Sequence, residues 1–78
     1  MHKLHLVEVR WEDISCQAGW DSEENVRKAE PIACITVGWR MESTAKKLVL
    51  VSSRSDNGTY GDRNTIPKGC IKSIRRIE

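Results

Sequence analysis

The segment between residues 54 and 63 carries the side chains best suited to chemistry in this 78-residue chain. Arg54, Tyr60 and Arg63 are interspersed there with two glycines. Guanidinium groups bind phosphate through paired N–H donors, and exposed backbone N–H groups beside glycines supply further donors. The segment therefore predicts a site for a phosphate-containing anion, although an ordinary hairpin loop would have the same composition.

Two more side chains could complete such a site. Trp20 lies in a polar stretch, where an indole either folds back over the core as a lid or forms a platform on which a base or a peptide stacks. Lys68 is the first of four basic residues near the C-terminus, which could bind phosphates, pair with acidic residues of another subunit, or protect an edge strand from aggregation. The predicted ligand-binding residues are Trp20, Arg54, Tyr60, Arg63 and Lys68.

Signatures of common enzymes are absent from the sequence. There is no G-x-S-x-G, no G-x-x-x-x-G-K and no H-E-x-x-H motif. His2 and His5 have no clear nucleophile to serve, and most acidic residues are concentrated in one predicted loop. The three cysteines lack zinc-finger or disulfide-framework spacing, so we expect reduced, inert thiols at Cys16, Cys34 and Cys70. The sequence predicts a protein that is not an enzyme, with no catalytic residues, no metal site and no cofactor.

Length and charge narrow the class of protein. The chain is long enough for one domain, residues 1–78, with a thin core, and no apolar run approaches the ~20 residues that span a bilayer. No signal peptide is recognisable, so we expect a cytoplasmic protein. Residues 1–39 hold four bases and seven acids, net −3, and residues 40–78 hold nine bases and four acids, net +5. This asymmetry favours attraction within the chain or between identical subunits, unless both halves are simply solvated.

Alternation of apolar and polar residues predicts strands at 4–11, 32–41 and 46–53, a short strand from residue 65 that Pro67 interrupts, and a closing strand over 71–77. In the second strand Ile35, Val37 and Trp39 share one face, and Gly38 on the other face indicates a bend or a close backbone approach. Residues 12–31 lack alternation and predict a long acidic loop. A short helix over 22–29, with Asp21 as its N-cap, interrupts that loop. Residues 54–64 are predicted as a polar loop.

This element order predicts a mainly β chain, folded as a small five-stranded bent barrel with a long loop after the first strand. Curling so short a sheet removes its exposed edges. The stretch Ile66-Pro67-Lys68-Gly69-Cys70-Ile71 resembles the Ile-Pro-x-x-x-Val stretch of Src-homology-3-like barrels. That resemblance implies a single 3₁₀ turn between the last two strands. Sm-like barrels are the related alternative, and the motifs that bind polyproline are not recognisable.

Over most of its length the chain also resembles small uncharacterised proteins encoded by bacteriophages. The shared pieces are Trp11-Glu12-Asp13, Gly19-Trp20, Val37-Gly38-Trp39 and the closing Ile66–Ile71 stretch. The resemblance implies a phage or prophage accessory protein made in the bacterial cytoplasm, without implying a biochemical activity.

Three functions are compatible with these features. The first is a homo-oligomeric, non-enzymatic module that binds an anionic, nucleotide-like ligand, for example a nucleotide that bacteria use as an antiviral signal. The second is an interaction module or inhibitor that docks on a host or phage protein through Trp20 and the acidic residues 12–30. The third and weakest is a small barrel that binds nucleic acid through its basic C-terminal strand. None of the three involves a membrane.

Overall fold

The computed structural model describes residues 3–78. Its elements in chain order are strand β1 (Leu6–Asp13), helix α1 (Glu23–Arg27), strands β2 (Ile32–Ser43), β3 (Lys47–Arg54) and β4 (Tyr60–Pro67), a 3₁₀ turn (Lys68–Cys70) and strand β5 (Ile71–Arg76). The predictions of a mainly β chain and of a short helix after the first strand are confirmed. His2, which the sequence gives no clear nucleophile to serve, lies outside the described residues.

The five strands form one antiparallel sheet in the order β4-β3-β2-β1-β5. The central strand is β2, and β1 is also an interior strand, since it pairs with β2 on one side and with the edge strand β5 on the other. Within the described residues no ladder joins β4 to β5, so the sheet is open along these two edges. The structure therefore confirms five antiparallel strands in one sheet, but not the closure of that sheet into a barrel.

The core lies on one face of this sheet, which we call the core face. Its buried members are Val7 and Val9 from β1, Leu48 and Leu50 from β3, and Ile66 from β4. Because β2 separates β1 from β3, their side chains form one cluster only if the sheet curves around β2. The apolar residue types on alternate positions of β1 and β3 are what drive this curvature, since bending removes them from water.

The opposite face, which we call the outer face, follows from the strand register. Trp39 pairs with Leu6 and with Val51, and Val37 pairs with Glu8. Paired residues project to the same side, and alternate residues of a strand share a side. The outer face of β2 therefore carries Ile35, Val37 and Trp39, as the alternation predicts. A bulge at Met41, where the β2–β3 register shifts, ends this pattern.

Two local predictions are wrong. Residues 54–64 are not a loop: β3 runs to Arg54 and β4 begins at Tyr60, because a tight turn at Asn57-Gly58 lets polar residues pair across the hairpin. The N-cap of α1 is Ser22 rather than Asp21, since the Ser22 side chain accepts a hydrogen bond from the Asn25 backbone N–H at 3.2 Å. The carboxylate of Asp21 instead accepts from the Ser22 backbone and from the Asn25 amide.

The segment between β1 and β2, residues 14–31, projects from the sheet, and we call it the arm. Every residue from 13 to 33 is exposed, and α1 buries none of its residues. The radius of gyration is 16.1 Å and the longest dimension 55 Å. A compact chain of this length would have a radius of gyration of about 12 Å. The helix is held by its cap and by i,i+4 ion pairs on its own surface rather than by packing.

Candidate functional site

Arg54 and Tyr60 meet at the end of the β3–β4 hairpin, where they are paired across the two strands. The Arg54 guanidinium carbon lies 5.3 Å from the centroid of the Trp39 ring on β2. A guanidinium at this distance is attracted to the indole face, which fixes the direction of a long side chain. Together with turn residues these side chains line a groove of about 390 Å³, completed by Ser55, Asp56 and Gly58.

The turn beneath the groove is closed by a set of hydrogen bonds. The Ser55 backbone N–H donates to the Thr59 carbonyl at 2.9 Å, and the Thr59 N–H donates to the side chains of both Ser55 and Asn57, each at 3.2 Å. Gly58 has a φ of 85°, a conformation that residues with a side chain rarely adopt. The short Ser, Asn and Gly residues therefore close the hairpin and hold Arg54 opposite Tyr60.

This arrangement is suited to an anion that carries a planar ring. Arg54 makes no ion pair with any carboxylate of residues 3–78, so its outward N–H groups are available to a ligand. Tyr60 is 49 % exposed and offers an aromatic face and a hydroxyl. The carboxylate of Asp56 lines the same groove and would repel a phosphate beside it, which restricts the anionic part of a ligand to the Arg54 side.

The five predicted ligand-binding residues do not converge within one chain. Arg63 lies on the outer face, in the cross-strand row of Trp39 and Val51, three positions along β4 from Tyr60. Lys68 lies beyond the opposite end of β4, where its ammonium group donates to the Ser43 hydroxyl at 3.0 Å. Only Arg54 and Tyr60 line the same groove.

Trp20 is on the arm and is 103 % exposed. The interpretation that it folds back as a lid over the core is wrong. Every residue of the arm is exposed, so the arm leaves the indole in water rather than on the core. Gly19, with a φ of 102°, turns the chain immediately before it.

Trp39 is the residue of the groove that sequence reasoning missed. Its alternation with Ile35 and Val37 placed it on the correct face of β2. Nothing in that pattern indicated that the face would stay open to solvent, or that Arg54 from another strand would lie against the ring.

The basic residues near the C-terminus are partly occupied within the chain. Arg75 bonds to the Glu8 carboxylate at 3.0 Å, and Lys72 lies 3.5 Å from Glu12. The hydrogen bond from Arg75, with further help from Arg10, holds the pKa of Glu8 below its usual value despite an opposing effect of desolvation. The acidic and basic halves of the sequence therefore attract each other within the chain, which leaves fewer cations for nucleic acid.

A larger cleft lies elsewhere, at the base of the arm beside the 3₁₀ turn. It has a volume of about 480 Å³ and contains none of the predicted residues. Three carboxylates line it, those of Glu12, Asp13 and Glu30, next to the apolar Ile14 and Pro31. An anionic ligand would be repelled here, so the smaller groove is the better candidate for one.

Cys16 is exposed, and Cys34 and Cys70 are partly buried; all three are free thiols. Within residues 3–78, no group of three or more His, Cys, Asp or Glu side chains is placed to hold a metal ion. No helix in that range is long and apolar enough to cross a membrane.

The chain has no significant match to a protein-family model, to a curated protein or to a solved structure.

Proposed function

We propose that the chain is a non-enzymatic binding module that holds an anionic, nucleotide-like ligand in the groove of Trp39, Arg54 and Tyr60. The observation that carries this proposal is the Arg54 guanidinium, fixed 5.3 Å from the Trp39 ring centroid and without a carboxylate partner among residues 3–78. A planar cation bonds phosphate oxygens through two parallel N–H groups.

The other groups of the groove suit the remainder of such a ligand. The Tyr60 ring offers a stacking surface for a base, which contributes about 1–3 kcal/mol in single-strand binders. The Asp56 carboxylate can accept hydrogen bonds from sugar hydroxyls or from a base amino group. The charges of the groove favour a ligand orientation with the phosphate beside Arg54 and the sugar or base beside Asp56.

The wider setting of the proposal comes from the sequence. A phage-type accessory protein in the bacterial cytoplasm would bind such a ligand to sequester an antiviral nucleotide signal. We further propose that the curved sheet belongs to a small barrel of the Src-homology-3-like or Sm-like kind and that the chain works as a homo-oligomer. The strand order and the 3₁₀ turn before β5 support the barrel.

Isothermal titration calorimetry of the full chain against mono-, di- and cyclic nucleotides and ADP-ribose tests this function. Arg54→Ala is expected to raise the Kd at least about tenfold, the loss of one charge-assisted contact. Tyr60→Ala should weaken binding more than Tyr60→Phe if the ring stacks on a base. Lys46→Ala is the matched control, since Lys46 immediately precedes β3, at the end opposite to Arg54, and lies outside the groove.

Two outcomes would contradict the proposal. Wild-type protein that binds no member of the panel removes it outright. Binding that is equally weakened by Lys46→Ala and by Arg54→Ala would indicate general attraction of anions to a basic surface rather than a site.

A second function is favoured by the arm. A tryptophan that is 103 % exposed, in a segment with six acids and two bases over residues 12–30, has the character of an anchor for a protein partner. In this function the chain is an interaction module or inhibitor that docks on a host or phage protein.

Affinity capture from a bacterial or phage-infected lysate tests this second function. A stoichiometric protein captured by the wild type, and lost with Trp20→Ala while Arg54→Ala retains it, supports docking through the arm. Capture that is indifferent to Trp20 would contradict it. Nucleic-acid binding, the third function, predicts retention of DNA or RNA at low salt that Arg75→Ala together with Arg76→Ala abolishes.

A further inference from the structure

The single chain exposes more surface than its mass requires. Its accessible area is 6409 Å², whereas a compact monomer of 8.9 kDa exposes about 4,800 Å². The excess of about 1,600 Å² is twice the ~800 Å² that one partner contributes to a standard protein–protein interface. A partner could therefore bury an interface of ordinary size on each chain. The area left exposed would still be no smaller than that of a compact monomer of this mass.

Exposed apolar side chains are concentrated on two surfaces, the arm and the outer face of β2. On the arm, Ile14 is 78 % and Val26 is 62 % exposed, in addition to Trp20. On the outer face of β2, Ile35 is 58 % and Val37 is 44 % exposed. Contiguous apolar side chains left in water usually mark an interaction surface.

The charges of these two surfaces are complementary. The two bases of the arm, Arg27 and Lys28, are already paired with Glu23 and Glu24, so the arm keeps two acids, Asp21 and Glu30, without an ion pair among the described residues. Beside the outer face, Arg54 and Arg63 likewise have no ion pair among residues 3–78. One chain thus carries both an acidic apolar surface and a basic apolar surface.

We propose that the arm of one copy docks on the outer face of a second copy, with Trp20 packed on Ile35 and Val37. This inference deepens the self-association assumed in the proposed function and rests on it. The occupant is a second copy because the chain itself supplies both complementary surfaces. In addition, the described chain buries only six hydrophobic residues, five in the core cluster and Val51, and so small a core favours a partner that is present whenever the chain is. Reciprocal docking of two arms gives a closed two-fold dimer.

Sedimentation velocity of the full chain over a range of micromolar concentrations tests the assembly. The wild type is expected to sediment as a dimer or a larger closed oligomer. Val37→Lys and Trp20→Ala should each weaken association at least about tenfold, as for an anchor residue at an interface. Ile74→Lys is the matched control, because Ile74 is 43 % exposed but lies on the core face, paired with Val9.

A second measurement does not depend on whether the interface variants Val37→Lys and Trp20→Ala fold. A spin label on Cys16 of the arm, in an unlabelled chain with Cys34→Ser and Cys70→Ala, is mixed with ¹⁵N-labelled Cys16→Ser chain. Paramagnetic broadening between chains is expected at the Val37 and Trp39 amides and at the Trp39 indole N–H, and not at Ile74.

The outcomes separate this inference from the proposed function. A wild type that is monomeric at every concentration, or an oligomer whose broadening spares the outer face, overturns arm docking even if nucleotides still bind in the groove. An oligomer with the expected broadening that binds no nucleotide supports arm docking and removes the proposed ligand. A foreign protein that displaces the second copy and retains the chain as a monomer would assign the arm to that partner and overturn the inference.

Discussion

Gly38 on β2 lies directly against the backbone of Val51 on β3. A Cβ atom at Gly38 would come within 2.8 Å of the Val51 carbonyl oxygen and 3.2 Å of the Leu50 Cβ. Gly38 is also buried and pairs with Val7 of β1. The strands that contribute most of the core therefore approach each other across a glycine, and this close approach is what allows the sheet to curve.

Gly38→Ala should consequently destabilise the fold by about 2 kcal/mol, because backbone rather than a flexible side chain obstructs the added methyl group. Chemical denaturation measures the change. Gly69→Ala is the control, since nothing lies within 4 Å of a Cβ there. Equal stability of the two variants would show that the curvature does not depend on this approach.

Trp11 is oriented by a bond across β1 and β2, in which its indole N–H donates to the Thr36 hydroxyl at 3.0 Å. Thr36→Val keeps the shape of the side chain but leaves the partly buried N–H without a partner. We expect a loss of about 1 kcal/mol in the free energy of unfolding. The exposed Thr65→Val variant on β4 controls for the β-propensity of valine, and a neutral Thr36→Val would mean that water replaces the bond.

Acid should destabilise the protein partly through Glu8. Its pKa is lowered from the usual 4.5, chiefly by the hydrogen bond from Arg75. The unfolded chain then binds a proton more readily than the folded one, so this stabilisation is complete above pH 4.5 and is lost as the pH falls through the folded pKa. Glu8→Gln should flatten the acid limb of a stability–pH profile. The control Glu30→Gln, on the arm, should leave that limb unchanged. If Glu8→Gln also leaves it unchanged, the ion pair of Glu8 with Arg75 is not formed in solution.

His5 should add a second pH dependence nearer neutrality. The charge of Arg76, then desolvation, then the charges of Arg40 and Lys3 lower the pKa of its imidazole from 6.5. The contribution to stability is complete above pH 6.5 and declines as the pH falls through the folded pKa, because the unfolded chain protonates first. An NMR titration of the His5 ring reads this pKa directly, and Arg76→Gln should raise it. A wild-type pKa at or above 6.5 would contradict the placement of these cations.

Trp20 should report on the assembly by its fluorescence. An indole that is 103 % exposed is accessible to acrylamide, whereas docking on a second copy would shield it. We expect quenching to decrease as protein concentration rises, and Trp20→Phe to abolish this dependence. Quenching that stays high at all concentrations would mean that the arm remains in water.

The amino-acid sequence by itself determined the local part of this structure. The conformations that neighbouring residues prefer decide three local features. These are the strand pattern of β1, β2 and β3, the Asn57-Gly58 turn, and the short helix α1 in the acidic segment. The pattern also placed Ile35, Val37 and Trp39 on one face of β2, and Gly38 at a close approach, because strand periodicity fixes which residues share a side.

Only the tertiary structure decided which face is buried and which side chains meet. Burial depends on the strands that flank β2, and only the folded chain shows that the Arg54 guanidinium of β3 lies against the Trp39 ring of β2. The exposure of Trp20 has the same origin. An apolar residue becomes a core residue only if the fold brings its side chain against the sheet, and the arm keeps the Trp20 side chain in water.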